Sequence, residues 1–288
     1  MRRLTAVLIA LTAVFAPVGP RAFAGAAITW DRPCGLPGRA HYTHVAWIVL
    51  ENVGTAVVGS RQAPTFNALA ERCGLATNDH GVTHPSLPNY LALTAGTTAG
   101  VADDGEPSAH PLAVASIFSQ LHGHWRSLEE SMPRPCDRVT SGLYAARHNP
   151  AVYFTSLGAA CARDDVALAW PLQLGAPFTF ITPNVCHDMH SCPVATGDAW
   201  LARAVSSVIA SAQYQSRTLV LFITFDENDG DASNQVPTLV IAPSVARGLR
   251  VTTSFSHYSL LATTETLLGL ARLVAARSAP TFLRPFHL

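Results

Sequence analysis

The segment HVAWIVLEN, residues 44–52, is an apolar run of strand length that ends in two polar residues. A second run, residues 217–225, is rich in β-branched side chains and also ends in polar residues. Short continuous apolar runs are typical of strands that are buried on both faces, as in a parallel sheet. Such runs alternate along the chain with helical patterns. This alternation predicts an α/β fold whose mostly parallel central sheet is sandwiched between helices.

The same kind of pattern places the other predicted elements. Short β-rich runs predict further strands at residues 178–182 and 236–241. Apolar periodicity predicts helices at residues 64–72, 88–95, 199–212 and 258–273. Asp198 directly precedes the third of these helices, so we expect it to be the N-cap of that helix.

The loop HPSLPNY, residues 84–90, holds a serine between two prolines at the start of a predicted helix. The free N–H groups of a helix N-terminus favour an alkoxide or a phosphate. The G-x-S-x-G turn of the α/β-hydrolases is absent around Ser86, which argues against ordinary esterase chemistry. A serine hydroxyl is a poor nucleophile unless a base or a metal deprotonates it. Ser86 is therefore the predicted nucleophile of a metal-assisted phosphoryl-transfer enzyme.

Several predicted strands are followed by polar side chains, and in open parallel sheets ligands collect at the carboxyl ends of strands. The side chains that could meet at this edge are Glu51 with Asn52, Ser86, Asp188 with His190, and Asp226 with Glu227. Carboxylate and amide oxygens suit a hard divalent cation. Each pair alone is also compatible with a solvated turn or a helix cap, so their convergence carries the prediction. His257 precedes the last predicted helix, where it could bind phosphate, donate a proton or simply cap the helix.

Residues 1–24 have the features of a signal peptide: two arginines, an apolar stretch and an Ala-x-Ala cleavage site. We find no repeat or linker after it, so residues 25–288 are expected to form one domain. No later segment reaches the roughly 18 uninterrupted apolar residues of a membrane span. We therefore expect a secreted or cell-surface protein with no transmembrane anchor after cleavage. The formal net charge of +0 gives no basic surface that would attract nucleic acid.

The chain has 6 cysteines, which in an exported protein indicate disulfides. Proximity in the sequence suggests the pairs Cys34–Cys73, Cys136–Cys161 and Cys186–Cys192. The alternative is a zinc site formed by Cys186, His187, His190 and Cys192. An oxidising compartment favours the disulfide over the zinc site.

Five sequence blocks occur in order between about residues 51 and 270: ENVGTAVVG, HPSLPNYLALTAG, DMHSCPVATGDAWL, TFDENDG and HYSLLATTETLLGL. They resemble the signature blocks of the bacterial phosphoesterase family, which includes secreted acid phosphatases and phospholipases C. That family belongs to the alkaline-phosphatase-like superfamily. The resemblance covers nearly the whole chain after the predicted signal peptide, and it implies an alkaline-phosphatase-like fold.

The resemblance implies that the protein hydrolyses small phosphate monoesters through a phosphoserine intermediate, as acid phosphatases do. It implies one divalent metal ion, with a second possible. The ligands of the first would be Ser86, which is also the nucleophile, together with Glu51, Asn52, Asp226 and Glu227. The residues that would contact the phosphate or a second metal are His84, Asn89, Asp188, His190 and His257. His187 stands where a smaller polar residue such as asparagine is expected.

Three other functions fit some of the same residues. The site could act on phosphodiesters or phospholipid head groups, as phospholipases C do. Those relatives carry additional C-terminal domains, so for a chain that stops at Leu288 we expect a compact phosphatase. Ser86 and a histidine could instead form a metal-independent esterase, which would ignore EDTA. A secreted binding protein without catalysis is the last alternative, although every expected acidic and nucleophilic position is filled.

Overall fold

The computed structural model describes residues 29–288, so the predicted signal peptide lies outside the described residues. Its strands are β1 (His44–Leu50), β2 (Gly74–His80), β3 (Trp125–Glu129), β4 (Asp165–Ala167), β5 (Phe178–Thr182), β6 (Leu219–Phe225), β7 (Gln235–Ile241) and β8 (Leu249–Val251). They form one 8-stranded sheet in the order β4-β3-β5-β1-β6-β7-β2-β8. Strand β7 is antiparallel to both neighbours, and every other pair is parallel. The predicted α/β fold with a mostly parallel sheet is confirmed.

Helices connect the strands. They are α1 (Pro64–Arg72), α2 (Ser86–Ala95), α3 (Ile117–Gln120), α4 (Ala159–Asp164), α5 (Val194–Ala210), α6 (Ala212–Gln215), α7 (His257–Leu267) and α8 (Leu283–Phe286). Short 3-10 turns lie at Thr55–Val57, Ala146–His148, Pro150–Tyr153, Thr155–Leu157 and Val274–Arg277. No helix between residues 29 and 288 has the length and apolar character needed to cross a bilayer.

The sheet is covered on both faces, because successive side chains of a strand point to opposite sides. In β1, Val45 and Trp47 join the hydrophobic cluster of α2 and α7. Ala46 and Ile48 join the cluster of α1 and α5 on the other face. A strand packed in this way needs apolar residues at every position, which explains the unbroken apolar run of β1.

Asp198 does not cap its own helix, and that prediction is wrong. Helix α5 starts at Val194, so Asp198 lies inside its second turn. Its two carboxylate oxygens accept the backbone N–H groups of Thr65 and Phe66, both at 2.9 Å. These N–H groups belong to the first turn of α1, whose own N-cap, Ala63, has no side-chain acceptor. The aspartate therefore caps the neighbouring helix and fastens α5 to α1.

The other predicted elements are present with small changes in their bounds. Helix α2, which carries the predicted nucleophile, begins at Ser86 instead of residue 88. The last long helix ends at Leu267 instead of residue 273. It ends there because Gly269 has a φ angle of 68°, a left-handed conformation that glycine adopts without strain and that stops a helix.

The predicted disulfides are confirmed: Cys34–Cys73, Cys136–Cys161 and Cys186–Cys192. The alternative zinc site is wrong, because the sulfurs of Cys186 and Cys192 are bonded to each other. His187, which would have completed that site, instead places Nδ1 2.8 Å from Glu130 Oε2 and stacks on Trp200. Its ring therefore braces the loop that follows β5.

Candidate active site

The ends of β1 and β6 bring two acidic pairs together. These strands are parallel neighbours, with Leu50 beside Phe225, so the residues that follow them emerge side by side. The N–H of Asp226 donates to the carbonyl of Leu50 at 2.9 Å. In return, the N–H of Asn52 donates to Asp226 Oδ1 at 3.1 Å. The sheet register itself therefore sets the spacing between the two pairs.

Ser86 lies between these pairs, at the first residue of α2. Its hydroxyl donates to Glu51 Oε2 at 3.0 Å and also lies against the carboxylates of Asp226 and Glu227. The residue is 3% exposed, so its hydroxyl sits at the bottom of the site. The predicted nucleophile thus lies within reach of both acidic pairs.

The carboxylates here are buried and close to one another. Burial raises the pKa of Glu51 well above its usual value, and the charges of Asp226 and Asp188 raise it further. Burial also raises the pKa of Asp226, followed by the charge of Glu227. Buried like charges are costly unless something positive offsets them.

Three oxygens at the site have no hydrogen-bond partner although they are buried, namely Asn52 Oδ1, Asp188 Oδ2 and Asp226 Oδ2. Buried acceptors are normally satisfied, so orphaned ones indicate a missing ligand. Amide and carboxylate oxygens are the ligands that hard divalent cations prefer. Asn52 also has a φ angle of 49°, a strained conformation of the kind found at ligand sites. The residues present therefore fit a divalent cation.

The spacing of the acids limits how a cation could be held. Among residues 29–288, one set of three His, Cys, Asp or Glu side chains has its ligand atoms within 4.8 Å of one another. This set is Cys136, Cys161 and Asp165. Its cysteines are joined in a disulfide, so that group is not a metal site. The acids around Ser86 do not all lie so close together. A cation there would also need the neutral oxygens of Ser86 and Asn52.

Asn89 braces the nucleophile loop. Its Oδ1 accepts the N–H groups of Val82 and Thr83 at 2.8 and 3.1 Å. Its Nδ2 donates to the carbonyls of Thr83 and Pro85 at 2.7 and 3.2 Å. The side chain is fully buried, and its Nδ2 also donates to Glu227 Oε2 at 3.3 Å, so Asn89 joins this loop to the second acidic pair. This geometry favours a structural role over the phosphate contact that the resemblance implied.

Gly81 allows the nucleophile loop to approach the end of β6. A Cβ at this position would lie 2.5 Å from Asn234 Nδ2 and 2.8 Å from the carbonyl oxygen of Asp226. Neither distance is possible for a real side chain, and the second atom is backbone. Gly81 also donates its N–H to the carbonyl of Asn234 at 2.8 Å. A glycine is needed for the two loops to pack.

The loop after β5 brings Asp188 and His190 to the site. The carbonyl of Asp188 accepts the N–H of Glu51 at 2.8 Å, and its Oδ1 accepts the N–H of His190 at 2.8 Å. Burial raises the pKa of Asp188 to about 7. Asp188 is fully buried, whereas His190 is exposed. The Cys186–Cys192 disulfide closes this loop around both residues.

The two remaining predicted histidines have different surroundings. His84 Nδ1 lies 2.7 Å from Glu227 Oε2, and its side chain is 38% exposed, so it can face a substrate. His257 is buried at the start of α7, and its Nε2 contacts the carbonyl oxygen of Asp226. Burial lowers the pKa of His257 to about 4, so its ring is neutral near neutral pH. The ring therefore holds the Asp226 segment in place.

His148 was missed by the sequence analysis. Its Nε2 lies 3.3 Å from Glu51 Oε1 and its Nδ1 lies 3.3 Å from Asp188 Oδ2, so the ring separates two buried carboxylates. The ring stacks on Tyr90, with centroids 5.3 Å apart, and Tyr90 donates its hydroxyl to Glu51 Oε1 at 2.6 Å. Tyr90 could have been found, because it lies one helical turn after Ser86 on the same face. His148 ends an irregular 3-10 turn, where no periodicity marks it.

Asp104 was missed as well. Its Oδ1 accepts the N–H of Leu87 at 2.9 Å, in the first turn of α2. The next residue, Pro88, has no N–H to offer. The N-terminus of α2 therefore has fewer free donors for phosphate than we expected. Arg147 lies 3.8 Å from Asp104 Oδ2 and adds a positive charge beside this helix end.

Solved structures share this fold, and one of them is a protein of the alkaline phosphatase superfamily. A superfamily protein from Vibrio parahaemolyticus matches with a TM-score of 0.57 at 12% identity, covering 86% of this chain and 73% of that chain. A lipoteichoic acid synthase from Listeria monocytogenes matches with a TM-score of 0.57 at 10% identity, covering 83% and 76%. At such low identity these similarities establish the fold. The chain thus has the α/β fold that these proteins share.

A model of the Phosphoesterase family matches residues 51–271, a span that includes every predicted site residue. The chain belongs to the phosphoesterase family, and it is a hydrolase that acts on phosphate esters. The resemblance seen in the sequence blocks is confirmed. Membership of this family argues against two of the alternative functions, a carboxyl esterase and a non-catalytic binding protein.

Curated relatives are phosphatases. A phosphatidylinositol-3-phosphatase of Mycobacterium tuberculosis is 35% identical over 246 residues, which cover 83% of this chain and 81% of that protein. A phosphate-repressible acid phosphatase of Penicillium chrysogenum is 28% identical over 232 residues, which cover 72% of this chain and 55% of that protein. The chain thus spans most of the first relative and about half of the second.

Proposed function

We propose that this protein is a metal-dependent phosphatase that hydrolyses phosphate monoesters through a phosphoserine on Ser86. The observation that carries the proposal is the position of Ser86 at the start of α2, with its hydroxyl among three carboxylates. Relatives named acid phosphatase and phosphatidylinositol-3-phosphatase support monoesters as the substrate class. Because one relative is named phosphatidylinositol-3-phosphatase, a phosphorylated lipid head group is one candidate substrate.

One divalent cation would be held by Glu51, Asn52, Ser86, Asp226 and Glu227. When bound, it would supply positive charge that favours the serine alkoxide and offsets the charge of the phosphate oxygens. The orphaned oxygens of Asn52 and Asp226 support this ligand set. A second cation near Asp188 and His257 has support of the same kind, because Asp188 Oδ2 and His257 Nδ1 are also buried without a hydrogen-bond partner.

The chain's own residues would carry out a double displacement. Ser86 Oγ forms a bond to phosphorus as the bond from phosphorus to the leaving alkoxide breaks. The serine proton passes to Glu51 Oε2, its hydrogen-bond acceptor at 3.0 Å. Water then attacks phosphorus, which breaks the bond to Oγ, restores the serine and releases inorganic phosphate.

The leaving alkoxide needs a proton, and we assign its donation to His190. His190 is exposed at the site, so it can reach the leaving oxygen of a bound ester. His257 is the weaker candidate, because its ring is buried and its Nε2 already contacts the carbonyl oxygen of Asp226. His84, partly exposed beside Glu227, is placed to contact a phosphate oxygen.

Replacement of the nucleophile tests the proposal. Ser86→Ala should lower kcat for p-nitrophenyl phosphate by at least ~1,000-fold, because no other oxygen is placed to attack. Its circular dichroism should stay close to that of the wild type, whereas its cation content should fall, because Ser86 is one of the proposed ligands. Ser206→Ala, on the exposed face of α5, is the matched control. Acid-quenched wild type should carry phosphate on Ser86 by mass spectrometry, and substantial turnover by Ser86→Ala would refute the assignment.

We also propose that the protein is exported. The predicted signal peptide at residues 1–24 and the three disulfides support this, because disulfides persist in oxidising compartments. N-terminal sequencing of the protein from the culture medium should begin at Gly25. Retention of the full chain inside the cell would count against export.

A further inference from the structure

A second group of buried acids lies next to the turn that carries His148. Strands β3 and β4 run side by side with Ser127 beside Asp165, so these two side chains point to the same face of the sheet. Glu129, two residues after Ser127, points to that face as well. Asp165 is fully buried and Glu129 is 1% exposed. Two carboxyl groups to which the proposed reaction assigns no part therefore lie together in the protein interior.

Neither of these acids is paired with a positive side chain in the described part of the chain. Glu129 Oε1 accepts the hydroxyl of Ser127 at 2.7 Å and that of Thr182 at 3.2 Å. Asp165 Oδ2 accepts the side-chain amide of Asn149 at 2.9 Å, whereas Asp165 Oδ1 is buried without a partner. All of these donors are neutral, so two negative charges would be poorly compensated here.

The two carboxyl groups therefore hold at least one proton between them near neutral pH. Burial raises the pKa of Asp165 to about 7. Burial also raises the pKa of Glu129 well above its usual value, and the charge of Asp165 raises it further. Acids that interact in this way titrate as a pair, because the second ionisation is opposed by the charge of the first.

The other titratable groups around the pair supply no counter-charge. Tyr144 faces both acids, and its neutral hydroxyl donates to the carbonyl of Asp137. The carboxylate of Asp137 is paired with Arg134 at 3.3 Å. Asp164, the residue before Asp165 in the chain, is paired with Arg126 at 2.5 Å. Both arginines are therefore engaged by other acids.

Both acids of the pair are connected to the backbone around His148. The hydroxyl of Thr182 lies 3.2 Å from Glu129 Oε1 and 3.3 Å from the carbonyl oxygen of His148. Asn149, the next residue, donates its side-chain amide to Asp165 Oδ2. The ring of His148 lies between two buried carboxylates of the candidate active site. The pair therefore holds the backbone from which this ring enters the site.

The hydroxyl of Thr182 links the charge of the pair to the turn. A hydroxyl has one hydrogen to donate, so Glu129 and the carbonyl of His148 compete for it. A carboxylate is a stronger acceptor than a neutral carboxyl group or a carbonyl. Ionisation of Glu129 therefore draws this hydrogen toward the acid and leaves the carbonyl of His148 without the donor.

We propose that Glu129 and Asp165 are positioning residues that keep His148 in place while they share a proton. When both acids ionise, their repulsion and the loss of the Thr182 hydrogen bond shift the turn. The ring then no longer separates the two carboxylates of the site, one of which is Glu51, the base of the proposed reaction. The proposal rests on the phosphatase function proposed above. Neither acid of the pair contacts a reacting group, so the effect is on kcat and not on KM.

The dependence of kcat on pH tests the positioning role. Wild-type kcat for p-nitrophenyl phosphate should fall as the pH rises above about 7, where the pair loses its remaining proton. Glu129→Gln and Asp165→Asn each prevent a double negative charge while they keep the shape of the side chain. In both variants the alkaline fall in kcat should move up by at least about one pH unit, with KM within about twofold of the wild type.

Glu265→Gln is the matched control. It removes another buried carboxyl group, on α7, whose pKa burial also raises to about 7. Its kcat should depend on pH as that of the wild type does. Circular dichroism at each pH should show that all variants remain folded over the range compared.

A measurement without turnover follows the turn directly. The backbone N–H of Asn149 donates to the carbonyl of Ala146 at 3.0 Å and closes the turn. Its NMR chemical shift in the wild type should titrate with the midpoint of the alkaline fall in kcat. In the double variant Glu129→Gln with Asp165→Asn, this titration should be absent.

Four results would overturn the positioning role. They are a wild-type alkaline fall in both single variants, an equal shift of that fall in Glu265→Gln, no titration of the Asn149 amide in the wild type, and a bound cation that both single variants lose in elemental analysis. The last result would mean that a cation offsets the two acids in place of a proton. Inactivity of the wild type on every monoester would instead count against the phosphatase function, and the NMR titration would remain readable in that case.

Discussion

Glu51 is the most constrained residue of the site. One oxygen accepts the Ser86 hydroxyl and the other accepts the Tyr90 hydroxyl, at 3.0 and 2.6 Å. His148 separates it from Asp188. Burial is the main cause of its raised pKa, whereas the hydrogen bonds from Tyr90 and Ser86 lower that pKa and so favour a carboxylate that can accept the serine proton.

Tyr90→Phe tests how much this orientation contributes. Loss of the 2.6 Å hydrogen bond removes a donor from a buried carboxylate, which typically costs about 2 kcal/mol. We expect kcat to fall ~10-fold with KM nearly unchanged, since the ring and its stacking on His148 remain. Tyr258→Phe, at the half-buried Tyr258, is the matched control. Wild-type kcat in Tyr90→Phe would show that this contact does not orient the base.

Asp226→Asn tests the cation site. The substitution keeps the shape of the side chain but removes one negative charge and an orphaned carboxylate oxygen. We expect the bound divalent cation, measured by elemental analysis of dialysed protein, to fall below half of the wild-type content, with a loss of rate. Asp229→Asn, at an exposed position of the same loop, should retain the cation. Unchanged stoichiometry in Asp226→Asn would remove it from the ligand set.

Among the helices, α1 and α5 show how tertiary contacts replace local signals. The sequence rule that an aspartate precedes its own helix predicted a cap for α5. In the structure α5 starts earlier and the carboxylate of Asp198 accepts the first N–H groups of α1. An N-terminus accepts a cap from any element that can reach it, so the sequence shows the capping residue without showing which helix it caps.

Asp198→Ala should destabilise the protein without changing its chemistry. Two buried N–H groups of α1 would lose their acceptors, and a lost N-terminal cap costs about 1–2 kcal/mol. Urea unfolding measures this change. The kcat for p-nitrophenyl phosphate in native buffer should match that of the wild type. If the unfolding midpoint of Asp198→Ala equals that of the wild type, water accepts the two N–H groups of α1 in place of the carboxylate.

The strands and the site differ in how far the sequence determines them. Apolar runs located β1, β5 and β6, and the polar residues after them located the acidic pairs. His148 could not be found in this way, because it comes from an irregular turn that only the folded chain brings between Glu51 and Asp188. Asn89 was predicted as part of the site, but only the fold shows that its amide joins the loop before α2 to Glu227.

Across the whole protein, buried carboxyl groups make the fold bind protons more tightly than the unfolded chain does. Burial raises the pKa of Asp79 to about 6, and it raises those of Asp165 and Glu265 to about 7. A group whose pKa is raised on folding contributes stability below its unfolded pKa. That contribution is lost as the pH rises through the folded pKa. The free energy of unfolding should therefore fall between about pH 4 and pH 7.

Asp79→Asn isolates one of these groups. Asp79 Oδ2 accepts the Thr238 hydroxyl at 2.6 Å, and an asparagine amide can donate to the same hydroxyl because Thr238 also bonds Thr224. Asparagine carries no charge to bury, so the variant should escape this part of the loss. From about pH 4 to pH 7 its unfolding free energy should gain about 2 kcal/mol relative to wild type. Urea unfolding at several pH values measures this difference, and a difference independent of pH would show that Asp79 titrates normally in the folded protein.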